Sequence, residues 1–132
     1  MMTAPPAMPL VPVSWGELID KITILEIKHK RLSGEAKANA AKELALLQDV
    51  ARPIWNDSEI RELAGRLHTV NEALWEIEDR IRGKEAAGVF DTEFVELARS
   101  VYRTNDARAQ IKRQINMLLG SALIEEKRYR PY

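Results

Sequence analysis

The sequence contains no cysteine. That excludes disulfides, thiol catalysis and zinc–thiolate sites, and it suits a reducing cytoplasm. It also lacks an excess of either charge, since 20 Lys and Arg balance 20 Asp and Glu over 132 residues. A nucleic-acid module normally carries a basic surplus, so the balance argues against that class. No apolar run approaches the roughly 20 residues of a membrane-spanning helix, so no membrane insertion is expected. The opening MMTAPPAMPLVPV has no basic n-region and is interrupted by four prolines, which argues against a secretory signal. Proline fixes φ and removes a backbone donor, so residues 1–13 read as an extended arm. Glycine-rich phosphate loops, nucleophile elbows and H-E-x-x-H pairs are missing, and no cofactor is implied. No period-two alternation marks a strand.

What is present is helical patterning with clear punctuation. Ser14 precedes Trp15-Gly16-Glu17, with Glu17 at the third helical position and Val13 placed to staple onto Leu18. This capping box opens a helix over about 15–32. Its inward stripe reads Leu18, Ile22, Leu25, His29 and Leu32, and Ser33-Gly34 breaks it. An alanine-rich helix over about 34–51 turns Ala40, Leu44, Leu47 and Ala51 inward and stops at Pro53. The cluster Asn56-Asp57-Ser58 caps a third helix, about 58–83. There Ile60, Leu63, Leu67, Val70, Leu74, Ile77 and Ile81 alternate in steps of three and four, an a/d heptad pattern of coiled-coil type. Asp91 caps the fourth helix, Phe90 is placed to staple onto Val95, and Gly120 closes it.

The first two helices would each be roughly 27 Å long and the last two roughly 40 Å, at 1.5 Å per residue. Matched pairs with short connections predict an all-α fold, an antiparallel four-helix bundle of two helical hairpins with the second longer. The expected organisation is an arm over 1–13, a bundle over 14–120, and a tail or short helix over 121–132. The unequal hairpins would leave a/d positions uncovered, which predicts a homo-oligomer, most simply a dimer.

The stretch VYRTNDARAQIKRQIN, residues 101–116, holds the candidate site. Phe94, Leu97, Ala98 and Val101 define an inward face at about 100° per residue. Continued at that spacing, the same face becomes Asn105, Arg108, Lys112 and Asn116. Apolar burial moves to the neighbouring Ile111, Ile115, Leu118 and Leu119, while Tyr102 and Arg113 flank the polar stripe. A hairpin closing near 87–88 brings Asn71 level with Asn105, and Glu78 lies one heptad from Asn71. Glu26 falls between apolar positions of the first helix. Buried polar groups must be paired, at about 1–3 kcal/mol for each one left alone. These groups either pair among themselves and fix helix register or line a groove for a ligand.

Other constellations carry less. Glu26 and His29 match the Glu-x-x-His spacing of di-iron bundles, but the position three before His68 is Gly65, so no metal site is expected. Trp75 lies one step off the heptad seam, as partner-covered tryptophans do. KRYRPY near the end interleaves aromatics with cations, a weak nucleic-acid signal.

SWGELIDKITILEIK, LWEIEDRIR, FDTEFVELARSVY followed by ND-x-RA-x-IKR-x-IN, and EEK-x-Y resemble a family of small all-helical bacterial and phage proteins classed as a domain of unknown function. The resemblance implies a bacterial cytoplasm near glycosyltransferase and surface-polysaccharide genes. It also implies that Asn105, Asp106, Arg108, Lys112, Arg113 and Asn116 belong to the family's motif. It implies no catalytic residue. ELIDKITILEIKHKRL is loosely similar to the first helix of all-α chorismate mutases, which bind a dicarboxylate with Arg and Lys. On these grounds the expected function is a helical-bundle binding or interaction protein with a polar groove for an anionic group or a partner helix. Its expected partners are an anionic small molecule or a glycan-biosynthesis protein. The alternative is an enzyme on a carboxylate or phosphorylated substrate, with Arg108, Lys112 and Arg113 as anion clamps and Glu78 or Glu26 as acid or base.

Overall fold

The computed structural model describes residues 4–132, so Met1–Thr3 of the expected arm lie outside the described residues. Four helices follow in order: α1 (Trp15–Arg31), α2 (Gly34–Ala51), α3 (Ser58–Ala87) and α4 (Thr92–Leu119). A single 3-10 turn, Arg52–Ile54, carries the chain from α2 past Pro53. Among the described residues there is no strand. Residues 4–13 are exposed and non-helical, and residues 121–132 contain no helix.

The helix ends follow their capping chemistry. Ser14, Asp57 and Asp91 accept hydrogen bonds from the amides of Glu17, Glu59 and Phe94, each satisfying a first-turn donor. Gly88 and Gly120 end α3 and α4 in the left-handed region, at φ +68° and +61°. The expected stop at Gly83 is overrun by four residues. An exposed helical glycine costs only about 1 kcal/mol against alanine, and Lys84 just beyond it pairs with Asp91 and Glu93 across the turn. The Phe90–Val95 staple is absent, and both side chains are exposed. Phe90 instead meets Phe94 edge-on, with ring centroids 5.1 Å apart.

The helices form a bundle in which α1 packs against all three others and α2 covers the outer side of α1. The α3–α4 hairpin is the longest contact. Ile19, Ile60, Leu67 and Ile115 are completely buried where α1, α3 and α4 meet, with Leu18, Ile22, Ala51, Ala64 and Ile111 around them. His29 is exposed, so the buried part of its expected stripe, Leu18, Ile22 and Leu25, ends one turn before it, and Ile27 is buried beside that stripe.

Length decides what stays open. α1 has 17 residues, whereas α3 has 30 and α4 has 28. At 1.5 Å per residue that is roughly 25 Å against 45 and 42 Å. The end of α1 lies beside the middle of α3, where Arg31 pairs with Glu72 and Glu76. Up to that point the heptad seam holds the fully buried Ile60 and Leu67, with half-buried Leu63 and Val70 packed against the core; beyond it Leu74, Ile77 and Ile81 are all half-buried and outside that core cluster. Leu67→Ala should therefore cost about 2–5 kcal/mol and Leu74→Ala clearly less. Chemical denaturation of the two variants checks this, and equal losses would contradict the graded core.

Candidate functional site

The centre of the bundle contains a carboxylate. Gly16, Asp20, Thr23 and Ile27 recur at steps of four, three and four along α1, so they share the face turned to α3 and α4. Asp20 is 1% exposed. Asn71 of α3 donates Nδ2 to Asp20 Oδ1 at 2.9 Å and to Thr23 Oγ1 at 2.9 Å. Thr23 in turn donates its hydroxyl to the Asp20 carbonyl at 2.8 Å. Arg108 of α4 takes the carboxylate as a fork, with Nε at 2.9 Å from Oδ1 and a second bond from its terminal nitrogen to Oδ2. Bidentate arginine–carboxylate geometry is among the strongest charged contacts a protein makes. That bond raises the Arg108 pKa against the opposing effect of burial, so the guanidinium stays charged.

One turn along α4, Lys112 joins three segments. Its Nζ lies 2.7 Å from Glu17 Oε2 on α1, 2.7 Å from Glu125 Oε2 on the C-terminal tail and 3.9 Å from Asp20. Burial works against the ammonium, but the Glu125 and Glu17 hydrogen bonds and the Asp20 charge outweigh it and raise its pKa. Lys112 lowers the Glu125 pKa in return. Glu17 therefore serves Lys112, and of the expected capping box the Ser14 half is the one formed.

A further turn on, Asn116 Oδ1 accepts the Gly16 amide at 2.7 Å, and Ser121 Oγ accepts the Trp15 amide at 3.3 Å. The open N-terminus of α1 is thus capped by α4 and the residue just past it. Close approach is needed here: a Cβ on Gly16 would lie 2.5 Å from the Lys112 carbonyl oxygen, which only glycine avoids.

The expected site residues divide into groups. Asn71, Arg108, Lys112 and Asn116 converge on α1 as described. Asn71 and Arg108 also border, with Asn105 and Glu78, a groove of about 650 Å³ floored by Ile24 and Ile27 and walled by Leu74 and Trp75. The Arg31 guanidinium sits 5.7 Å from the Trp75 ring centroid. Arg113 pairs with Glu126 at 3.2 Å, while Tyr102 and Asp106 face the tail. Glu26 belongs elsewhere. It is half-buried on the side of α1 that faces His68, and burial raises its pKa above the ordinary 4.5 while His68 partly opposes the shift.

The sequence reading missed Asp20, Thr23, Glu17 and Glu125, which supply most of the partners. The available signal was Gly16, four residues before Asp20 on one helical face, since a first-turn glycine there marks a close helix contact.

The arrangement neutralises its own charges. Arg108 is held by Asp20 and Lys112 by two glutamates, so neither is free to clamp an incoming anion. Among the described residues no buried side-chain nitrogen or oxygen lacks a partner, and no group of three His, Cys, Asp or Glu could hold a metal ion. No helix among the described residues is long and apolar enough to cross a membrane.

Fold and site together define an all-helical bundle protein organised on a buried ionic cluster. The chain belongs to a family of unknown function, DUF6165, whose profile matches residues 10–131. No curated protein and no solved structure matches it.

Two outcomes test the network. Asp20→Ala should cost about 3–5 kcal/mol, because it leaves the half-buried Arg108 guanidinium without its counter-charge and the buried Asn71 amide with Thr23 as its remaining acceptor. Lys112→Met should cost less, since the carboxylates it releases are about 40% exposed and reach water. Limited proteolysis should cut that variant beyond residue 121 faster than wild type, with the helical bundle left intact. A Lys112→Met chain that unfolds as readily as Asp20→Ala would contradict this division of roles.

Glu26 gives a pH-dependent test. A carboxyl whose folded pKa is raised contributes stability that is complete below the unfolded value near 4.5 and is lost as pH rises through the folded value. Glu26→Gln should therefore be more stable than wild type at pH 7 and equal to it near pH 4. Denaturant midpoints at both values read the difference, and a variant weaker at pH 7 would reverse the sign.

Proposed function

We propose that this chain is a non-catalytic binding and interaction protein that receives a helix of a partner in the groove between α1, α3 and α4. The supporting observation is that α1 stops at Arg31 while the α3–α4 hairpin continues, leaving Leu74, Ile77 and Ile81 half-buried and Trp75 at a groove wall. A helix laid end-on to α1 would complete the three-helix cross-section found in the core. Amphipathic helices bind such grooves through apolar anchors at helical spacing. The charged lining is balanced, with Glu78 and Asp79 against Arg82 and Arg108, and Glu72, Glu76 and Glu78 are already paired with Arg31 and Arg82, so the partner helix is held mainly by its apolar anchors. Catalysis on an anionic substrate would need Arg108 and Lys112 free, and their carboxylate partners oppose that reading.

A second copy of the chain is the simplest source of the helix, which makes the protein a homodimer. An accessory place beside glycosyltransferases in a bacterial cytoplasm, which the family resemblance implies, suits a protein that works by holding partners. Light scattering coupled to size exclusion should give about twice the 15.0 kDa chain mass. Trp75→Ala should return it to the monomer mass with its helical circular dichroism retained. A wild type that is monomeric at tens of micromolar removes the second copy as occupant, and a Trp75→Ala dimer places the interface elsewhere.

A further inference from the structure

The C-terminal tail does not hang free. After Gly120 it turns back along α4 and is fastened by Lys112 to Glu125 and Arg113 to Glu126. Farther along, the Tyr132 ring lies 4.8 Å from that of Tyr102, centroid to centroid, at 57°. Between tail and helix runs a groove of about 1400 Å³. It meets the helix groove at Asn105 and Arg108, which border both, but its chemistry is different.

Its lining is aromatic and cationic. Tyr102, Tyr129 and Tyr132 all border it, and Tyr129 is 75% exposed. Arg103 and Arg130 border it too. The ion pairs of this region use Arg108, Lys112, Arg113 and Lys127; neither Arg103 nor Arg130 takes part in them. Asp106 is the acidic side chain of the lining, and it is engaged by the Tyr132 hydroxyl, whose pKa it raises. The groove therefore offers two guanidiniums that are not neutralised and tyrosine faces beside them. Guanidiniums recognise phosphate oxygens through paired donors. Tyrosine faces stack on planar rings whatever their edge pattern.

We propose that the groove between the tail and α4 binds a phosphorylated ligand carrying a planar ring, of the nucleoside diphosphate class. The diphosphate lies between Arg103 and Arg130, and the base stacks on the exposed Tyr129. Arg108 and Lys112 of α4 are excluded from this role by their own carboxylates, so the anion-recognising part of the chain is its outer face. Phosphate joined to a stackable base also occurs along a single strand of RNA. Only five tail residues border the groove, and the chain as a whole has no net charge, which favours the small molecule.

Isothermal titration of the wild-type chain with ADP, UDP, inorganic pyrophosphate, adenosine and a short single-stranded RNA tests this. At least one diphosphate should bind one to one, with pyrophosphate and adenosine at least about tenfold weaker. The double variant Arg103→Gln/Arg130→Gln should lose at least about tenfold in affinity for that diphosphate. Tyr129→Ala should weaken the diphosphate and leave pyrophosphate unchanged. All three positions are exposed, and unchanged melting temperatures would show that the variants fold. The proposal is overturned if neither diphosphate binds at millimolar concentration, or if the double arginine variant binds as wild type does. It is equally overturned if pyrophosphate matches the diphosphates or if the RNA binds more tightly than both. A monomeric wild type would sink the homodimer of the helix groove and leave this site standing, so the two readings fail separately.

Discussion

The buried Asp20 carboxylate is the constraint on which the rest depends. A lone ionised carboxylate in an apolar interior is strongly unfavourable, so the fold must bring it partners. It draws Asn71 from α3 and Arg108 from α4 to one point, and this sets the axial position of α1 between the other two helices. Apolar packing alone tolerates some sliding of one helix past another. A charged fork with fixed geometry does not, which is why such contacts suit the fixing of register more than the raising of stability.

Using these charges inside the bundle changes what the outside can do. Arg108 and Lys112 look on the sequence like a ligand clamp, and in the structure they hold α1 and the tail. Lys112 is central because Glu17 and Glu125 meet at it from opposite ends of the chain. Asn116 completes the arrangement by capping the Gly16 amide of α1, beside the local cap that Ser14 supplies to Glu17. The polar stripe of α4 is therefore a seam. The surfaces this seam leaves open are the largely apolar groove where α1 ends and the cationic and aromatic groove under the tail.

The first of these surfaces arises from the mismatch in length, and the second from the tail lying along α4. α1 covers only the proximal part of the hairpin, and the tail runs along a different side of α4. The distal helices are held mainly by their mutual contact and by ion pairs across the turn, such as Lys84 with Asp91 and Glu93. These pairs are exposed and add little stability individually. A helix docked there would bury surface that the chain itself leaves half open.

The sequence by itself determined the all-α class, the four helices, their caps and the unequal hairpins. Each follows from local rules of side-chain period, a capping Ser or Asp, and a glycine with positive φ, all of which act within a few residues. It also showed that the inward stripe of α4 turns polar after Val101. Only the tertiary structure decided what that stripe meets. Asp20 and Arg108 are 88 residues apart in the chain, and Glu26 was as good a candidate partner on the helical wheel. The rotation of α1 about its axis turned Asp20 to α4 and Glu26 to His68, and that rotation is set by the packing of Ile19, Ile60, Leu67 and Ile115. Pairing over such separations is a property of the assembled core, because no local rule specifies which face of one helix will lie against another.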